Sequence, residues 1–563
     1  LAALALVAAS VLALGFVSWG RSWARLHDGT FAGDRAPTRT HGDAWLESRP
    51  SRVARRCPPW DGKAAAEGLV AAGCIGGGIA MVPAVHCLIR AGGAGKSRRA
   101  TAPSIVAAID RNAHGIPTSV IVHDPKSEIR AWTEPLARRA GMEVVAIRLD
   151  EPVKSARFNP LDRAIAALGT EGVAGAVAEL RELSAAIVPD AFSSGQRFFT
   201  DASRNLLTGL CLLAITDGRI PDGARNLSTV LALLEPRDGK SAVKSLEELA
   251  ADLPAGNPAR QFLLVASSNG GGGEALVSTA RNYLMSFCDD DVSRMLWDGE
   301  VDLASVGRKP TILYIASATD RGDRGALVSC IFSQALSALR EIARLSGGRL
   351  PAETLLAIDE GSGIPKIPRL LGDLAEVRSI GLHVVFVLQN THLLEARCGY
   401  SRAESDALLA LLGTQVVLSV ESVGEAEEIS KRLGDYSVKT TGQSSTRGTQ
   451  SSSSGKSFSV ARRPLITPSE LMAWSARENG ALVIDAEGPM ALASRDITET
   501  FLGPLLGMTS PEAEGALLAR ALEGEARNTS PAPVWRIPEK PKKPKGSPSG
   551  GRKRKVSAAP DGF

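Results

Sequence analysis

The stretch VHCLIRAGGAGKSRRATAPSIVAAI, residues 85–109, constrains the fold more than any other part of the chain. An apolar strand runs into a glycine-rich turn ending Gly95-Lys96-Ser97, and a helical pattern follows. Strand, loop and helix in that order form a phosphate-binding loop, in which successive backbone N–H groups and the positive helix terminus surround phosphates. Gly92, Gly93 and Gly95 supply the backbone freedom, Lys96 neutralises the β/γ oxygens of ATP, and Ser97 ligates Mg2+. The full pattern GxxxxGK[ST] asks for glycine at position 90, where this chain has Arg90. An arginine there is expected to bring positive charge near the phosphates and to slow hydrolysis through altered loop geometry.

The rest of the chain has the rhythm such a loop requires. Short β-branched runs at 85–89, 118–123, 143–149, 311–316, 354–358, 383–388 and 415–420 alternate with longer helical patterns, which indicates a parallel α/β sheet. Between about Asp162 and Asp302 the alternation stops and the text becomes Ala/Leu-rich with helical spacing, as in ELRELSAAIV. The expected fold class is therefore α/β: a P-loop, RecA-like nucleotide-binding domain in two parts, 85–162 and 303–505, with an all-α domain, 163–302, inserted between them. The 44% hydrophobic content of the 563 residues is ample for a core of that size. NGGGGE (269–274) lacks a following Lys-Ser/Thr and reads as a flexible link, and the Ser-rich stretch Thr440–Ser459 reads as a mobile loop. From 506 the chain reads as a C-terminal tail, disordered and basic after 530, where PEKPKKPKGSPSGGRKRK cannot fold by itself.

A second acidic element supports the loop. TLLAIDE (354–360) is an apolar strand ending in Asp359-Glu360. By itself such a pair is ordinary solvated acid. Beside Lys96-Ser97 it takes on meaning, with Asp359 assigned to the metal and Glu360 to polarising the attacking water. The next strand, HVVFVL, ends in Gln389, suited to bond a γ-phosphate or a water from a neighbouring strand tip.

Residues 1–19, LAALALVAASVLALGFVSW, are uncharged and apolar over nearly the ~20 residues a membrane helix needs. They read as a transmembrane helix, followed by a cytoplasmic linker with entry strands over 20–84. A secretory signal peptide would open on a basic region, which is missing, and the first residue, Leu1, leaves room for an earlier span. Arg21, Arg25, Arg35, Arg39, Arg49, Arg52, Arg55 and Arg56 then place the bulk of the chain in the cytoplasm by the positive-inside bias. Lys+Arg 65 against Asp+Glu 61 gives a net charge of only +4, so any polyanion contact must come from a local patch. Seven scattered cysteines without a CxxC pair argue against a disulfide framework and a zinc site.

Several motifs in order resemble the coupling proteins of type IV secretion and conjugation, the TraG/TraD-like ATPases. They are HGDAW (41–45), GKSRR, IVHDPKSEI (121–129), RFNPLD (157–162), LLAIDEGSGIPKIPRLLGDLAEVRSIGLHVVFVLQN and RRPLITPSELM (462–472). The resemblance covers most of the chain from the first span to about Arg495. It implies a homohexameric ATPase of the bacterial inner membrane that drives DNA, single-stranded and sequence-independent, into the secretion channel, with a relaxase or relaxosome as partner. It also implies that the helical insertion receives substrate and that Arg378 reaches across a subunit interface as an arginine finger. The chain departs from the family at Arg90, at Ser127 where glycine is usual, at Gly361-Ser362 where Phe-Ala is common, and in its single visible span.

Two other readings stay open. One is a double-stranded DNA translocase of the FtsK type, which would not be expected to carry HGDAW, DPKSE or a large helical insertion. The other is a non-hydrolysing membrane receptor for secreted substrates, its phosphate loop degraded by Arg90.

Overall fold

The computed structural model describes residues 46–47, 50–75, 78–92, 95–190, 194–268, 272–317, 324–376, 379–447, 452–477, 480–494 and 496–538. The expected membrane span at 1–19, HGDAW and Arg378 lie outside the described residues.

A small antiparallel sheet of β1 (Pro59–Trp60), β2 (Val70–Ile75) and β3 (Gly78–Val82) precedes the main one. The main sheet holds β4 (His86–Arg90), β5 (Thr118–His123), β6 (Glu143–Arg148), β7 (Thr311–Ala316), β8 (Glu353–Ile358), β9 (Leu382–Leu388) and β10 (Thr414–Val417). Two long strands, β11 (Asp435–Arg447) and β12 (Ser452–Pro464), pair only with each other, and β13 (Gly480–Asp485) and β14 (Gly488–Ala493) complete the main sheet. Its order is β14-β13-β10-β4-β9-β8-β5-β7-β6. The seven strands β4 to β10 are parallel, and β13 and β14 run antiparallel at one edge. β5 and β7 are buried at every position, as interior strands covered on both faces must be, whereas β6 at the opposite edge is only half-buried.

Helix α1 (Ala102–Ala113) follows the loop after β4, and α2 (Glu128–Arg139) follows β5. The first eight residues of α1 are all buried, since the helix lies between the main sheet and the β2–β3 hairpin. Its small side chains suit that position, and it continues directly from a π-turn over Ser97–Thr101. Six longer helices occupy the region after β6: α3 (Asp162–Thr170), α4 (Gly172–Ile187), α5 (Ser194–Thr216), α6 (Leu227–Leu233), α7 (Ala242–Asp252) and α8 (Gly273–Met285). They pack through Leu180, Leu206, Leu210, Leu246 and Leu276, each 1% exposed or less. These leucines belong to the same apolar cluster as Leu88, Ile121 and Leu313 of the sheet, so the helical unit and one sheet face share a core. Helix α9 (Gly325–Leu345) is the one described helix long and apolar enough to cross a bilayer, but 78% of that stretch is buried inside the protein. It is a core helix.

Helices α10 (Val423–Leu433) and α11 (Pro468–Arg477) flank the β11–β12 ribbon, and α12 (Pro511–Leu522) packs Leu517, Leu518 and Ala521 against the core. Two expectations need correction here. Outside residues 448–451, which lie beyond the described residues, the Ser-rich stretch expected to be a mobile loop is the ribbon itself, with an unbroken register from Asp435↔Pro464 to Arg447↔Ser452. Polar side chains on both strands hide it from any hydrophobic pattern. Nor is the chain unstructured from 530. Residues 523–538 cross from the sheet edge to the helical unit, where Asn226 donates to the Pro533 carbonyl (2.8 Å) and the Trp535 N–H donates to Thr229 Oγ1 (3.0 Å). The lysines and arginines after 539 lie outside the described residues.

Candidate functional site

The site forms where β4, β9, β8 and β5 end side by side at the carboxyl edge of the sheet, the usual place for a ligand in an open α/β fold. Gly95 has φ +107°, a conformation that side chains rarely adopt, and a Cβ there would press on Arg99. Gly92 is held by the Ser419 hydroxyl, which donates to its carbonyl (2.5 Å), and a Cβ on it would meet the Glu421 carboxyl at 2.5 Å. Gly95 is therefore required by its backbone conformation, and Gly92 lies directly against the Glu421 side chain. Gly93 lies outside the described residues.

Lys96, Ser97, Asp359, Glu360 and Gln389 come together. The Lys96 ammonium is ion-paired with the Glu360 carboxylate. Ser97 Oγ donates to Asp359 Oδ2 (2.6 Å), and Thr101 Oγ1, one helical turn on, donates to Asp359 Oδ1 (2.5 Å). Gln389 Nε2 donates to Glu360 Oε1 (2.7 Å), and the Ser362 hydroxyl reaches the same oxygen (3.2 Å). β9 lies between β4 and β8, which is why Gln389 falls between the loop and the acidic pair.

The acids differ in setting. Asp359 is 6% exposed, and burial raises its pKa although Ser97, Thr101 and the Lys96 charge pull the other way. Asp124, at the tip of β5, is 2% exposed and is pushed up to about 7, first by burial and further by the charges of Asp359 and Glu128. His123 beside it is lowered to about 3 by burial and then by Lys96, so it is a neutral ring, 2.9 Å from Ser317 Oγ. Two nearly buried carboxylates beside two hydroxyls and a lysine are a donor set that suits a hard divalent cation and a polyphosphate, because bound positive charge offsets the cost of burying the acids. Thr101, His123, Asp124 and Glu421 had no assigned role in the sequence. Asp124 and His123 sit inside IVHDPKSEI, and only the pairing of β5 with β8 shows that they face the same edge as Asp359.

Arg90 is not where the loop pattern suggests. It is still part of β4, 1% exposed, and its guanidinium turns away from the loop to α10, where Nη2 donates to Glu428 (2.8 Å) and Nη1 lies 3.5 Å from Glu425. Its charge is matched there by Glu425 and Glu428. Glu425 is pushed up to about 7 by burial, against the pull of Arg90.

No curated protein sequence matches the chain. Solved structures do. A bacterial conjugative coupling protein, TrwBdeltaN70 in a trigonal form with sulphate, is similar at TM-score 0.57 and 17% identity, over 83% of this chain and 97% of that one. Plasmid coupling protein TrwB with the non-hydrolysable ATP analogue ADPNP gives TM-score 0.59 at 17% identity, with the same 83% and 97% coverage. TrwB with ADP and Mg2+ gives 0.56 at 17% identity, again over 83% and 97%. At that identity the likeness is one of fold. The model of the family described as type IV secretory system conjugative DNA transfer matches residues 78–492, most of the sheet and all of the helical unit. The chain belongs to the type IV secretion family of conjugative DNA-transfer coupling proteins.

Proposed function

We propose that this coupling protein is an ATP-hydrolysing motor, anchored in the bacterial inner membrane, that drives DNA or a nucleoprotein into a type IV secretion channel. The observation that carries the reading is the convergence of Lys96, Ser97, Asp359, Glu360 and Gln389 at the tips of β4, β8 and β9. ATP with Mg2+ would supply the phosphoanhydride whose cleavage yields the free energy. The chain's own residues divide the work. Lys96 and the loop N–H groups would hold phosphate charge, and Ser97 with Asp359 would hold the cation. Glu360 orients the attacking water, and Gln389 fixes Glu360 or contacts the terminal phosphate. Lys96 now pairs with Glu360 and Ser97 with Asp359, so nucleotide entry must part at least the first pair. Glu360 is thereby freed for water only when Lys96 is engaged by phosphate, which links general-base action to occupancy.

Arg378 completing the site of a neighbouring subunit, a homohexamer, and a relaxase or relaxosome partner are part of the same reading. The receptor alternative rested on Arg90 degrading the loop, and the engagement of Arg90 with α10 speaks against that ground. In a steady-state ATPase assay Lys96→Ala should lose turnover together with nucleotide affinity, while Glu360→Gln should bind nucleotide but turn over at least a hundredfold more slowly. Full activity in either variant would refute the assignment.

A further inference from the structure

We propose that one face of the β11–β12 ribbon is a contact for single-stranded nucleic acid, tracking its phosphates with Lys439 and Lys456 and stacking a base on Phe458. The register sets the face. Lys439 pairs directly with Val460, and residues directly opposed in an antiparallel pair share a face, as do residues two apart. Lys439, Val460, Phe458, Lys456 and Arg462 therefore lie on one side of the ribbon. The other side carries Tyr436, Val438 and Arg463 beside small and hydroxyl residues, with Thr440 paired to Ser459 and their hydroxyls 2.6 Å apart. Lys439, Lys456, Arg462 and Phe458 are thus gathered on one side by strand parity alone.

Two charges on that face, Lys439 and Lys456, are available. Arg462 is bonded to Asp435 (2.7 Å), and Arg463, of opposite parity, is tied to Glu470 (2.5 Å). Among the described residues neither Lys439 nor Lys456 has an acidic partner, and no Asp or Glu occurs between Asp435 and Glu470. Phe458 is 61% exposed, and the Lys439 ammonium stands 4.5 Å from its ring centroid. A phenyl ring out of reach of a core and rimmed by cations is the arrangement on which unpaired bases stack, because every base has a π-face and a phosphate close by.

The shape of the ribbon agrees. Each strand has 13 residues, which at ~3.4 Å per residue gives an arm on the order of 40 Å long. Two-stranded ribbons are marginal alone in water, so one this long with so little apolar surface suits a polyanion better than a second protein core. The inference rests on the DNA-transfer reading for the presence of a nucleic acid, and its test can fail separately from it.

The test uses the full chain and a fluorescent mixed-sequence oligonucleotide, followed by anisotropy across a salt series. Lys439→Glu with Lys456→Glu should weaken binding at least tenfold at ~0.1 M salt and reduce the slope of log affinity against log salt by about 1.4, since single strands give about 0.7 per phosphate contact. Phe458→Ala should weaken binding about tenfold with the slope unchanged. ATPase measured without DNA should stay at the unaltered level in all of them. Equal affinity and slope in the charge-reversed chain would overturn the ribbon assignment and leave the motor reading standing. No binding by the unaltered chain would instead undercut DNA transfer itself. If the double variant loses binding to phosphatidylglycerol vesicles and keeps the oligonucleotide, the face is a membrane contact and the proposal is wrong. A changed oligomeric mass with unchanged DNA affinity would make it a contact between copies and equally refute it.

Discussion

Replacing Arg90 with glycine restores the phosphate-loop pattern on paper, but the structure predicts damage. The guanidinium is the cationic partner of Glu425, which is 1% exposed, and of the more open Glu428. Removing one partner of a buried pair costs about 3–5 kcal/mol because the other charge is left uncompensated. Glu425 has a folded pKa raised above its unfolded value, so protonation of the folded state favours stability below about pH 7 and that contribution is lost as pH rises through it. Without Arg90 the pKa rises further, and the penalty for Arg90→Gly should be greater at pH 8 than at pH 5. Urea unfolding at both pH values measures this, and a pH-independent penalty would contradict the pairing. Ser127 offers an opposite case. It has φ +57°, is buried, and among the described residues its hydroxyl has no hydrogen-bond partner. Ser127→Gly should raise unfolding free energy by up to about 1 kcal/mol, the left-handed strain being larger than glycine's extra chain entropy. A loss of stability would show that the hydroxyl has a partner in solution.

At the level of elements, what the sequence revealed followed apolar patterning. Strands such as TSVIVH and TILYIA were legible because interior parallel strands must be apolar on both faces. β11 and β12 were not, because a ribbon held by its own ladder and exposed on its sides needs no apolar alternation. Of the site, Lys96, Ser97, Asp359, Glu360 and Gln389 could be read from strand ends, whereas Thr101, His123 and Asp124 needed the sheet order. The segment after α12 escaped for another reason: it is held by single polar anchors. Asn528 is 5% exposed and donates to the Pro152 (2.8 Å) and Ser155 (3.0 Å) carbonyls, and Arg527 pairs with Glu300 (2.9 Å). Ending the chain at Leu522 removes these together with Trp535 and should lower stability by about 2–4 kcal/mol, at 0.5–1.5 kcal/mol per hydrogen bond plus the lost apolar contact. Ending it at Pro538 removes the downstream cations and keeps every anchor, so its unfolding midpoint should match that of the full chain. Equal midpoints for both truncations would mean that the segment does not hold the two units together.

For the molecule as a whole, the shared core decides how the sheet domain and the helical unit communicate. Leu88 on the strand that leads into the phosphate loop and Leu206 on α5 belong to one continuous apolar cluster, and the crossing segment 523–538 spans the same two units on the outside. Units that share a core lose it together, so the slowest-exchanging amides of α5 and of β5 should open with the same free energy. A ligand bound only by the folded state then stabilises both. A non-hydrolysable ATP analogue with Mg2+ at 100 times its Kd should protect the two sets alike by about 2.7 kcal/mol. In Lys96→Ala neither set should gain protection. If β5 is protected and α5 is not, the helical unit opens independently, and the free energy of nucleotide binding does not reach it through the shared core. The equal response is the expected one, because the chain leaves the sheet after β6 and returns to it at β7, and those two strands are neighbours hydrogen-bonded from Glu143↔Thr311 to Arg148↔Ala316. The helical unit thus enters and leaves through paired strands of the sheet, so opening it at its roots means breaking the nucleotide-binding domain as well.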